Sequence, residues 1–216
     1  MSSLISSMKS SNIIILSGLA FCAISGALLY VVRHQTRRHY LNAAKIVKII
    51  IYPVKSLPGI EVNEATVTKS GLKCGLFRDR SWVLVNEENR FVTQRTEESL
   101  ALLRQSLHDN ELWIDGPNMP TLKLTVKFNK SANDIIAFQD GSALLVINQN
   151  SINDLNERLP NETKVSHKNF RPNILITDCE AFEEDNWKYV KIRDIDFTFL
   201  KPCDRCVLTT INPDTG

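Results

Sequence analysis

The strongest constraint on this chain is the rhythm of its β-branched runs, which are short, frequent and closed off by turn residues. Ile46-Val-Lys-Ile-Ile-Ile-Tyr-Pro-Val54 is ended by proline and has the signature of a buried strand. Residues 60–67 alternate less cleanly and stop at Ser70-Gly71, a turn. Residues 81–85 and 91–93 flank Asn86-Glu-Glu-Asn-Arg90 and read as a hairpin with a loop of about five residues. Further strands are expected at 112–114, 121–128, 143–147, 173–177, 190–192, 196–200 and 207–210. The run 121–128 alternates with period two, so one of its faces should be solvated. Only two helices are expected. One spans 97–107, with Leu100, Leu103 and Leu107 on one face; the other spans 151–159, where Ser151 and Asp154 imitate a capping box. This pattern favours a mainly β or α+β fold over a parallel sheet with helical crossovers.

A second feature lies nearer the start. Residues 13–32 form an uncharged run of twenty, long enough for a bilayer core of ~30 Å. It is too long for the apolar core of a secretory signal, and Arg33, Arg37 and Arg38 follow it instead of a small-residue cleavage site. One Lys precedes the run, whereas those three Arg, Lys45 and Lys48 follow it. That imbalance predicts a transmembrane helix at 13–32, within an anchor covering 1–40, with the C-terminal part in the cytosol.

Formal net charge is +2, and the positive excess sits beside the apolar run. No interleaving of aromatic and basic residues supports a nucleic-acid partner. Of the five cysteines, Cys22 falls in the apolar run, and structural disulfides are not expected in a cytosolic domain. Cys203 and Cys206 flank Asp204-Arg205 in a C-x-x-C spacing, while Cys74 and Cys179 are isolated, which is a poor match to a four-ligand zinc site. A thiolate beside a guanidinium is instead a candidate nucleophile or ligand for a soft or high-valent metal. Spacing alone does not choose between the two cysteines.

Four motifs occur in a telling order: Ile51-Tyr-Pro-Val-Lys-Ser56, Phe77-Arg-Asp-Arg-Ser-Trp-Val-Leu-Val85, Asn169-Phe-Arg-Pro-Asn173 and Cys203-Asp-Arg-Cys-Val-Leu-Thr-Thr-Ile-Asn-Pro-Asp-Thr-Gly216. Together they resemble the MOSC-domain proteins, and among them the mitochondrial amidoxime-reducing components. The resemblance implies an N-terminal β-barrel-like domain at 41–135 and a MOSC β-barrel at 136–216, incomplete at its C-terminal end. It also implies that the chain is several dozen residues shorter than relatives between Phe128 and Ile135. A molybdenum-pterin cofactor is implied, with Cys206 as metal ligand and catalytic residue. Lys55, Ser56, Arg80, Asp140, Gly141, Ser142, Arg171, Asn173 and Asp204 are implied as cofactor contacts. The activity implied is reduction of N-hydroxylated compounds such as amidoximes, with electrons from NADH through cytochrome b5 and its reductase. The location implied is the mitochondrial outer membrane. Two alternatives stand beside it: a cofactor-binding or carrier module without reductase activity, and an inactive membrane-anchored fragment. For individual residues plainer roles compete, with Arg80 paired to Asp79, Lys55 a solvated strand end and Arg171 a loop residue.

Overall fold

The computed structural model describes residues 40–126, 138 and 141–216. Strand β1, Lys45–Ile51, is the isoleucine-rich run, and its last two residues are buried. It is followed by β2 (Ile60–Val62), β3 (Thr66–Thr68), β4 (Gly71–Cys74), β5 (Phe77–Arg78), β6 (Leu84–Val85) and β7 (Phe91–Val92). A 3-10 turn at Glu98–Leu102 then leads to β8 (Arg104–His108), β9 (Glu111–Asp115) and β10 (Leu122–Thr125). In the second half, β11 (Val146–Asn148) enters helix α1 (Gln149–Arg158), and a single helical turn, α2 (His167–Phe170), precedes β12 (Ile174–Thr177). The hairpin β13 (Tyr189–Ile192) and β14 (Ile195–Thr198) precedes a last 3-10 turn at Val207–Thr210.

The principal sheet has the order β11-β12-β1-β2. Strand β1 runs antiparallel to both neighbours, with a register shift between Ile46 and Lys48 that leaves Val47 exposed. Strands β11 and β12 pair in parallel, joined across α1, so the fold does contain one crossover unit of the kind the strand rhythm argued against. Residues Ile174, Leu175 and Ile176 are all buried, as expected for a strand covered on both faces. The largest apolar cluster gathers Ile51, Val54, Leu57, Leu72, Phe77, Leu100, Leu112 and Ile114. Because β1 and β12 pair, the sheet is built from both halves of the compact unit spanning Ala43–Gly216.

Several expectations are corrected. The mainly β reading stands, but the described residues form no closed barrel. The strands fall into five sheets of two to four strands, and β11 and β2 end the largest without joining a further strand among the described residues. Closure needs strands long enough to tilt and stagger into a continuous ring; these are two to seven residues long. Among the described residues no helix is long and apolar enough to cross a membrane; the span expected at 13–32 lies outside them.

The helix expected at 97–107 is a 3-10 turn that ends where Leu103 turns extended, followed by β8. Its three leucines still reach the main cluster, but from a turn and a strand. Helix α1 begins earlier than expected. Asn148 caps it by accepting from the Asn150 N–H, while Ser151 lies inside and donates to Glu184. The strand expected at 207–210 is a 3-10 turn, and all four residues of β10 are exposed rather than one face of it.

Candidate functional site

Tyr52 is the residue around which distant motifs meet. It follows β1 and is only 2 % exposed. Its N–H donates to Asp79 Oδ1 at 2.7 Å, its carbonyl accepts from the Arg80 N–H at 2.7 Å, and its hydroxyl donates to the Pro172 carbonyl at 3.1 Å. Two guanidinium carbons stand close to the ring: that of Arg80 at 4.9 Å from the centroid and that of Arg171 at 4.5 Å. Gly59 makes room, since a Cβ there would lie 2.6 Å from Tyr52 Cε1 and 2.4 Å from Ile50 Cγ2.

Asp79 and Asn173 fix Arg80 from below the surface. Asp79 is fully buried, and its second oxygen pairs with Arg80 Nη1. The plainer reading of Arg80 therefore names the right partner, but the pair is an internal one. Such a pair offsets its desolvation only when its remaining hydrogen bonds are met, and Asp79 meets this by accepting from Tyr52. Asn173, 1 % exposed, ties three segments together. Its Nδ2 donates to the Ile50 carbonyl, and its Oδ1 accepts from the Leu145 N–H and from Arg80 Nη1 at 3.4 Å. Arg80 and Arg171 both have left-handed backbones, φ 50° and 56°, an uncommon state for non-glycine residues that concentrates at functional sites.

Lys55 and Ser56 lie in the loop that continues from Tyr52. The Lys55 N–H donates to the Trp82 carbonyl, and Ser56 is buried with φ 71°. Buried Gln105 pins this loop at both ends, accepting from the Val54 N–H and donating to the Pro58 carbonyl at 2.6 Å. Thus Arg80, Arg171 and Asn173 meet at Tyr52, with Lys55 and Ser56 on the loop that follows it.

Gly141 and Ser142 fall between Phe138, whose N–H donates to the Arg80 carbonyl, and Leu145, whose N–H donates to Asn173 Oδ1. Asp140 lies outside the described residues; Gly141 and Ser142 are exposed, with the Ser142 hydroxyl turned to the Leu144 carbonyl. Asp204 is exposed and paired with Lys201, and Cys203 and Cys206 are exposed free cysteines. Arg205 places its guanidinium over the Phe170 ring at 5.3 Å. Asn169 donates to the carbonyls of Thr209 and Ile211, and Lys168 pairs with Asp214. The cysteine segment is thereby docked beside α2, and Phe170 is the residue just before Arg171. Among the described residues no group of three or more His, Cys, Asp or Glu is placed to hold a metal ion.

A cleft of ≈ 220 Å³ opens beside Tyr52 and Arg171. Lys48, Arg104, His167 and Lys168 line it with a single carboxylate, Glu61, which pairs with Lys48. Burial pushes the Tyr52 hydroxyl up to about 12, against the opposing pull of Arg171 and Arg80, so it stays a donor. His167 is held below the usual histidine value, first by burial and then by the Lys48 charge. Tyr52, Gln105 and Gly59 were not singled out in the sequence; the position of Tyr52 inside the first motif was the available signal.

The chain belongs to the MOSC family: residues 43–158 match the MOSC N-terminal beta barrel domain and residues 133–216 match the MOSC domain. MOSC domains are a molybdenum-cofactor-binding type, and the function of this chain is related to that cofactor. Its relatives include mitochondrial amidoxime reducing component 2 of Rattus norvegicus, 30% identical over 258 residues, covering 92% of this chain and 76% of the relative. The human component 2 is 32% identical over 239 residues, covering 84% and 71%. Both alignments are longer than this 216-residue chain, so the relatives carry residues inside the aligned span that this chain lacks.

Proposed function

We propose that this protein is a mitochondrial, molybdenum-cofactor-dependent oxidoreductase that reduces N-hydroxylated compounds such as amidoximes. The observation that carries the reading is the convergence of Arg80 and Arg171 on Tyr52, with Asn173 bonded to Arg80, from three separate motifs. Guanidinium forks suit the phosphate of a pterin cofactor. The cleft beside Arg171 has the cationic lining such an anion needs. The described residues supply no metal cage of their own, which fits a metal that arrives in its own chelate and takes one protein thiolate. Cys206, free and exposed, is available for that role.

In this reading Arg171 and Lys55 would hold the phosphate, Ser56 would contact the cofactor, Asn173 fixes the surrounding backbone, and Asp79 keeps Arg80 in register. When bound, the cofactor supplies oxygen-atom transfer with a two-electron change at molybdenum. The net reaction breaks the N–O bond of the substrate, consumes two electrons and two protons and releases water. The protein supplies binding and orientation. Electrons come from NADH through cytochrome b5 and its reductase.

A second reading is favoured by one observation, the exposure of Cys206 and Asp204: a module that binds or carries the cofactor without reducing substrate. Metal and pterin analysis of the purified protein, followed by benzamidoxime turnover with cytochrome b5 and its reductase, separates the two. Bound molybdenum with turnover supports the reductase, and bound molybdenum without turnover supports the carrier. Cys206→Ser should keep the pterin and lose turnover, because a neutral hydroxyl is a poorer ligand than a thiolate. Wild-type turnover in that variant would remove Cys206 from the metal.

A further inference from the structure

We propose that Tyr52 is a positioning residue, whose ring holds the Arg171 guanidinium at the wall of the cleft to receive a phosphate group. The inference rests on the cofactor reading above and extends it to a residue outside the expected contact set.

The Tyr52 ring is fixed in place. All three polar groups of Tyr52 are engaged: the N–H with Asp79, the carbonyl with Arg80 and the hydroxyl with Pro172. Gly59 closes one side of the ring at near contact. A ring so held is a rigid platform, and its electron-rich face attracts a guanidinium most strongly where water is excluded. Both Arg80 and Arg171 stand within 5 Å of its centroid, at 4.9 and 4.5 Å. Arg80 is committed to buried Asp79. Arg171 lines the cleft with Tyr52 itself, among Lys48, Arg104 and Lys168. The Tyr52 hydroxyl bonds the carbonyl of Pro172, the residue directly after Arg171, so one side chain fixes both the backbone and the head group of this arginine. A cationic cleft with a preset guanidinium selects a compact anion with several acceptor oxygens, which is the description of a phosphate ester. Presetting matters because immobilising a long side chain on binding would otherwise reduce affinity.

The test compares wild type with Tyr52→Phe, Tyr52→Leu and Gly59→Ala in the full chain. The first readout is the arginine Nε–Hε NMR signals, assigned with Arg171→Lys as reference; the second is affinity for inorganic phosphate at low salt. Phe keeps the ring and should keep a shifted Arg171 signal and near-native phosphate affinity, despite losing the hydroxyl bond. Leu should return that signal to the random-coil position and weaken phosphate by about tenfold. Gly59→Ala keeps every charge and displaces the ring, so it should move the Arg171 signal and weaken phosphate to a lesser degree. An unchanged signal or unchanged affinity in the Leu variant overturns the proposal, as does a wild-type protein that binds no phosphate. Phosphate binding with the expected variant pattern, in a wild type that never acquires pterin or molybdenum, upholds the positioning role and defeats the cofactor reading instead.

Discussion

The arginine neighbourhood and the cysteine segment come from motifs of similar legibility, yet the structure treats them oppositely. Around Tyr52 almost every polar group has a buried partner, two arginines take left-handed backbones, and Asp79 and Asn173 are sealed from solvent. At 201–206 there is no regular structure; Lys201 pairs with Asp204 in water, and both cysteines are exposed. The contrast separates two kinds of site-building. In the proposed reading, the region that holds a charged ligand is the one stiffened by internal hydrogen bonds. In that reading, a region that offers one soft ligand needs only to be docked nearby, and Asn169 and Lys168 bond to Thr209 and Asp214 just beyond it.

The largest effect that could break this contrast is at Asp79. Asp79→Ala leaves Arg80 unpaired and the Tyr52 N–H unmet, and removing one member of a buried pair costs about 3–5 kcal/mol. Urea denaturation would show it, and a loss below 1 kcal/mol would mean that the pair is wet. Next is Asn173→Ala, which strands the Ile50 carbonyl and the Leu145 N–H. At roughly 1–3 kcal/mol for an unmet buried group, the same assay should place it between Asp79→Ala and wild type.

The third prediction concerns pH. Tyr52 ionises near 12 in the folded protein against 10.0 ordinarily. Between those values the unfolded chain releases a proton that the folded chain keeps, so stability falls as pH rises through the window, by ~1.4 kcal/mol per unit. Below the lower value this residue contributes no slope. Tyr52→Phe should flatten the decline; an identical slope in both proteins would place the ring in water.

The smallest effect belongs to the other region. Asp204→Ala breaks only an exposed pair, so the denaturation midpoint should not move. A clear destabilisation would show that the segment is an integral part of the fold.

Strand positions were readable because β-branched runs bounded by turns carry their own signal, and β1, β9, β12 and the β13–β14 hairpin lie where those runs predict them. Two misreadings have local causes. At 97–107 the leucines mimic helical spacing, but Leu103 turns extended and Gln105 is drawn inward to bond Val54 and Pro58, which a strand allows. At 207–210 the hydroxyls of Thr209 and Thr210 bond back to the Cys206 and Val207 carbonyls, and this local bonding displaces strand pairing. The candidate site was half legible. Charged residues announce themselves in a motif, whereas Tyr52 and Gly59 act through shape, and shape appears only when segments 120 residues apart meet.

The pairing of β1 with β12 also dictates an order of events during synthesis. Lys45 is matched with Thr177, so one edge of the isoleucine-rich strand has no partner until most of the chain has been made. At ~5–20 residues per second that interval is on the order of ten seconds, far longer than collapse or hairpin formation takes. For that time only β2 can cover β1, and the edge destined for β12 is open to any other extended chain. The burden of protecting the nascent polypeptide therefore falls on its first strand. Polar substitutions at Val47, the exposed residue at the register shift, are the changes best placed to ease that burden without disturbing the finished sheet.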